Sequence, residues 1–172
     1  LTKGKKMPSS PVLSYSIPQR LIHWLMAGLI LFNLLFAEAM EELTEALEEG
    51  QVPSADMVAS ANIHAYVGIA VLCLAVIRLL LRLTHGAPDA PADEPPLFRL
   101  AGKIAHATFY LLFFVMPAAG IAAYYSGIGA AGEIHAGPMK LLMWVLIVVH
   151  VGAVLVHQFV WKTPVAQRMT KG

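Results

Sequence analysis

From Pro138 to Trp161 the chain carries one charged side chain, Lys140, and is otherwise almost wholly apolar. About 24 residues of helix at 1.5 Å each reach across a ~30 Å hydrocarbon core, so this run is long enough to span a membrane. It contains His150 and His157, and His135 stands just before it. The first two are seven residues apart, two helical turns, and therefore share a face. An imidazole at membrane depth is costly unless it faces the bundle interior and has a partner. That cost makes the histidines functional candidates.

Three more runs are long enough to span: about Arg20 to Ala39 with His23, about Ala59 to Leu83 with His64, and about Leu97 to Tyr125 with His106 and an internal Pro117 that is expected to kink it. None alternates with the period of a barrel strand. The expected fold is all-α, an integral membrane four-helix bundle running up-down-up-down. Its composition agrees, at 58% hydrophobic and 13% charged residues with a mean hydropathy of +0.65. A soluble domain is nearer half apolar and a quarter charged. Residues 1–13 read as a disordered cytoplasmic tail, and 14–171 as a single helical domain. The lone Cys73 lies inside an apolar run, where it is expected to be a small buried hydrophobe, and offers neither a disulfide nor a thiolate cluster.

Charge orients the bundle. Eleven of the 12 basic residues fall at one end of the spans, and Lys140 alone at the other. The positive-inside rule puts both termini and the Pro-rich loop 86–96 in the cytoplasm. The opposite end is acidic, with Glu38, Glu41, Glu42, Glu45, Glu48, Glu49, Asp56 and Glu133. The Glu41–Glu49 stretch is expected to form a turn or two of helix over the outer surface. It is either a solvated loop or a docking patch that steers a basic partner.

Six of the seven histidines lie in or beside spans; His85 sits in the cytoplasmic loop. Imidazole can ligate haem iron, copper or zinc. No carboxylate falls within the central part of a span, as it usually does in proton relays and cation transporters. A histidine-only set on facing helices suits b-type haem held by two imidazoles. Gly28, Gly68 and Gly152 follow His23, His64 and His150 closely, and their small size suits either close helix packing or the approach of a flat macrocycle. Height decides the pairing. His23 lies about 5 Å inside the cytoplasmic edge and His64 about 27 Å from Arg82, towards the outside, as is His135. His150 stands about 18 Å above Lys162. The expected pairs are His23 with His150 at the inner level and His64 with His135 at the outer. His157 is only about 10 Å from His150 along the axis, too close for a haem of its own.

The residues Arg20-Leu21-Ile22-His23-Trp24, His64 with Gly68, Arg78-Leu79-Leu80-Leu81-Arg82, His106 followed by Tyr110 and Pro117, and His150-x6-His157-x3-Trp161-Lys162 resemble bacterial cytochrome b561. The superfamily includes the cytochrome b subunits of nickel hydrogenases and formate dehydrogenases. The resemblance covers about residues 14–171. It implies two haem b stacked across a bacterial cytoplasmic membrane, ligated from the first, second and fourth helices. It also implies a quinone site, ubiquinone or menaquinone, at the inner haem, where His106 and His157 match the usual histidines. Arg78 and Arg82 stand where they can reach haem propionates or phospholipid headgroups. One departure concerns the outer pair. The family's fourth-helix ligands are typically 14 residues apart, whereas His135 and His150 are 15 apart, and Pro138 suits a first helical turn, so His135 is expected to precede the helix proper.

The expected function is a quinone-linked oxidoreductase or electron-transfer protein. It would pass electrons between an outer-face donor and the quinone pool, with a basic donor such as a c-type cytochrome suiting the acidic face and no nucleic-acid partner. A membrane-anchor subunit of a dehydrogenase or hydrogenase is the alternative within this class. A haem-free metal or proton transporter is the alternative outside it.

Overall fold

The computed structural model describes residues 13–91 and 93–172, so all but the last residue of the expected N-terminal tail lies outside the described residues. The described residues are helical, with no strand among them. Helix α1 covers Ile17–Leu35, α2 Glu38–Glu48, α3 Ala55–His85 and α4 Pro96–Ser126. Helix α5 runs Gly129–Val160, and a short α6 covers Val165–Thr170. Three helices, α3, α4 and α5, are each long and apolar enough to cross a membrane; α1 and α2 pass the same test only taken together, across a bend of 40°, which brings the number of candidate spans to four if the pair is counted as one.

Local chemistry sets the boundaries. Ser16 and Gln19 form a capping box at α1, with Pro18 in the first turn. The Ser54 hydroxyl accepts from the Met57 N–H at the start of α3. Pro95 and Pro96 open α4, and Gly127 in the left-handed region (φ 65°) closes it. The first span ends at Leu35, sooner than the hydropathy suggests, because the acidic residues beginning at Glu38 form their own helix. That helix has 11 residues rather than a turn or two. It buries Leu43 and Ala46, packs on α3, and presents its carboxylates outward.

The largest correction is at the last span. Helix starts at Gly129, not Pro138, and carries His135 within it. Over His135–Met139 the backbone widens into a π turn. Pro138 lies within this turn and has no N–H to give to a carbonyl four residues back, so it costs a regular α turn one hydrogen bond and makes widening cheap here. A second π turn covers Val156–Val160. Helix α4 continues through Pro117. Cys73 is exposed on the outside of α3, not buried.

Close packing runs from α1 to α3, α3 to α4 and α4 to α5. Two apolar clusters fill the middle. One is Met26, Val71 and Ala75; the other is Leu112, Met143 and Leu146, and Phe113 touches both. On α1, α3 and α5 these residues lie between the heights of the two histidine levels. Large exposed side chains such as Leu21, Leu25, Val148 and Phe159 cover the outer faces of the helices, as expected where lipid is the solvent.

Candidate metal centre

The histidines meet across the seam between α5 and its partners α1 and α3. The His23 and His150 ring centroids are 6.3 Å apart. At the other level His64 and His135 are 6.1 Å apart. A metal about 2.0 Å from each ring nitrogen, with each nitrogen about 1.15 Å from its ring centre, sets two imidazoles on opposite sides of it about 6.3 Å apart. Both gaps therefore fit one iron between two imidazoles. Among the described residues no cluster of three or more His, Cys, Asp or Glu could hold a bare ion. Further ligands to a metal held there would come from the bound group itself, as a porphyrin supplies them.

The hydrogen bonds agree with such a group. His64 Nδ1 is buried and takes no partner among the described residues. Such an orphan costs roughly 1–3 kcal/mol unless a group bound in the site meets that nitrogen. The His64 carbonyl accepts from Asn33 Nδ2 at 3.0 Å, which ties α1 to α3 at that level. His135 Nδ1 lies 2.8 Å from the Met116 carbonyl. As a donor there, Nδ1 leaves Nε2 with its lone pair free for a metal. Gly120 makes this approach possible: a Cβ at that position would lie 3.0 Å from His135 Cε1. Gly120→Val is therefore expected to displace the His135 ring and lower the haem per chain, while Gly129→Ala, in open space, keeps it. A pyridine-haemochrome assay with protein quantitation reads the difference. Overpacking of this kind costs about 1–3 kcal/mol.

Near the inner pair, His106 lies 5.8 Å from His150, centroid to centroid, and its Nδ1 is 2.7 Å from the Gly102 carbonyl of its own helix. Arg78 Nε is buried without a hydrogen-bond partner among the described residues. Arg82 stacks over Tyr110 at 5.8 Å. Both arginines border a small crevice with Gln19 and Tyr110, where an acidic substituent of a bound group would be neutralised.

His157 stands apart from His106, with no ring contact or hydrogen bond between them among the described residues. Its Nδ1 is 2.8 Å from Thr163 Oγ1, its Nε2 is 3.6 Å from Glu94 Oε1, and its ring lies edge-on to Trp161 at 4.7 Å. Sequence reasoning missed Glu94, Thr163 and Gly120. The one available signal was Glu94 itself, a carboxylate set directly before Pro95-Pro96 at the mouth of a span.

At the acidic end a cleft of about 320 Å³ opens beside His64, lined by Phe32, Phe36, Glu38, Glu42 and Ser60 among others. Lys140, the basic residue at this end, pairs with Glu41 at 3.0 Å. Helix α2 is thus moored to α5 by an exposed pair that contributes about 1 kcal/mol at most.

A family model described as prokaryotic cytochrome b561 matches residues 14–172. The chain is 32% identical over 157 residues to cytochrome b562 of Cereibacter sphaeroides, covering 91% of this chain and 95% of that protein. It is 32% identical over 111 residues to the probable superoxide oxidase CybB of Yersinia pestis, covering 64% of this chain and 58% of that protein. It is 26% identical over 176 residues to cytochrome b561 homolog 2 of Escherichia coli K12, covering 90% of each.

Proposed function

This chain belongs to the prokaryotic cytochrome b561 family, and from that premise we propose that it is a dihaem cytochrome carrying electrons across the cytoplasmic membrane between an outer-face donor and the quinone pool. Haem b and electron transfer in a bacterial membrane come with the family. The finer reading rests on one observation, the two imidazole pairs 6.3 and 6.1 Å apart at opposite levels. Haem b held there would supply a one-electron iron couple.

The chain's own residues do the rest. His23 and His150 would hold the inner group, and His64 and His135 the outer one. The Met116 carbonyl fixes the tautomer of His135. Arg78 and Arg82 bind the acidic edge of the inner group. Met26, Leu112, Met143 and Leu146 keep water from the space between the levels. With Nδ1 committed to the Gly102 carbonyl and to Thr163 Oγ1, His106 and His157 would each donate from Nε2, when protonated, to the oxygens of a quinone at the basic end. The concentration of Arg and Lys at that end supports an up-down-up-down bundle with both termini in the cytoplasm.

One relative is named a probable superoxide oxidase. In this chain Glu38 and Glu42 line the cleft beside His64, and they oppose an anionic donor while favouring a cationic one. In stopped flow, a basic c-type cytochrome is expected to reduce the protein faster at low salt than at high salt, and a short-tailed quinone then reoxidises it. Superoxide is expected to show the opposite salt dependence. Rapid reduction by superoxide that slows as salt is added would overturn the donor assignment, and failure of quinone to reoxidise the haem would overturn the acceptor.

A further inference from the structure

The geometry points to Glu94 and His157 as the route by which cytoplasmic protons reach the reduced quinone. The inference rests on the quinone reading above and adds to it a carboxylate and a direction. Both side chains are nearly buried, 9% exposed for Glu94 and 10% for His157. A carboxylate and an imidazole withdrawn together from water need a purpose or a strong pairing, and at 3.6 Å this pair is longer than a hydrogen bond.

The backbone builds the site. Lys162 takes the left-handed conformation (φ 52°), which turns the chain after the second π turn and brings the Thr163 N–H to the His157 carbonyl at 2.8 Å. That turn tucks the Thr163 hydroxyl under the ring. The hydroxyl proton is directed at the His157 carbonyl at 3.4 Å, so the oxygen accepts from Nδ1–H. Nδ1 is thereby committed, and Nε2 becomes the exchangeable position, facing Glu94. Glu94 is held from the other side: Arg99 Nη2 donates to its carbonyl at 2.9 Å, and it precedes the N-terminus of α4, where negative charge is favoured. Trp161 touches both His157 and Phe98, and Phe159 and Val160 lie exposed beside them, so the site adjoins an apolar surface open to lipid.

The step balances simply. A quinone takes two electrons, one at a time, from the outer-face donor, and its two carbonyl oxygens take two protons to give the quinol. Each proton enters from cytoplasmic water at the Glu94 carboxylate, passes to the lone pair of His157 Nε2, and leaves from that same nitrogen for a quinone oxygen beside it, Nδ1–H staying on Thr163 throughout. The 3.6 Å gap keeps the Nε2 lone pair within reach of Glu94 without committing it.

The test uses full-length protein with haem bound. Glu94→Gln is expected to slow haem reoxidation by a short-tailed ubiquinone at least about tenfold, with a larger solvent deuterium effect. It should also remove a carboxyl band from the redox infrared difference spectrum. Glu94→Asp restores most of the rate. Asp89→Asn, on the exposed part of the same loop, matches the unaltered protein. The Soret band reports folding of each variant. Unchanged reoxidation, isotope effect and infrared spectrum in Glu94→Gln would overturn the inference. If quinone fails to reoxidise even the unaltered protein, the quinone reading itself falls.

Discussion

His64→Ala and His23→Ala are each expected to halve the haem content of the purified chain, and His106→Ala to leave it unchanged. The first two expectations follow from the imidazole gaps, since one ring cannot hold a bis-imidazole iron alone. The third decides between two neighbours of His150. His23 stands 6.3 Å from it and His106 5.8 Å. Two trans imidazoles on one iron sit about 6.3 Å apart, which favours His23. His106 is tethered by Nδ1 to the Gly102 carbonyl of its own helix turn, whereas His23 makes no hydrogen bond among the described residues, so its ring is unclaimed. A pyridine-haemochrome assay with protein quantitation gives the stoichiometry. The Soret band of the haem that remains shows that each variant has folded. Loss of haem from His106→Ala with retention in His23→Ala would assign the inner site to the other neighbour.

Height along the membrane was legible in the sequence, because rise per residue is constant and basic residues mark one edge. That was enough to bring His23 level with His150 and His64 level with His135 before any coordinates. Azimuth was not legible in the same way. It depends on where a helix departs from 3.6 residues per turn, and both π turns fall on functional histidines, His135 and His157. Pro138 showed that something happens there, but a proline fits a first helical turn as readily as a widened one. The contacts of His157 were hidden for another reason. Glu94 lies 63 residues away in sequence, in a loop that reads as solvated, and Thr163 reaches the ring only because Lys162 adopts a positive φ that a lysine does not advertise. Gly120 was equally silent, since a helical glycine reveals its purpose only when its neighbour is known.

Deleting Ala136 is expected to leave the outer haem in place, and inserting one alanine beside it to abolish that haem. Each residue turns a regular helix by about 100°. Fourteen residues therefore end about 40° short of four full turns, and fifteen about 60° beyond. The π turn over His135–Met139 accommodates one extra residue in a single turn, so the fifteen residues from His135 to His150 cover the angle of fourteen. Deletion at Ala136, an exposed position, lets the wide turn relax to a regular one with both imidazoles still aligned. Insertion has no second bulge to absorb it and swings His135 by about 100° away from His64. Haem per chain then falls by half while the inner pair keeps its Soret band. Gly120 sharpens the contrast, since a Cβ there would lie 3.0 Å from the ring where it now sits. Retention of both haems after insertion would show that the outer iron takes its second ligand from somewhere other than His135.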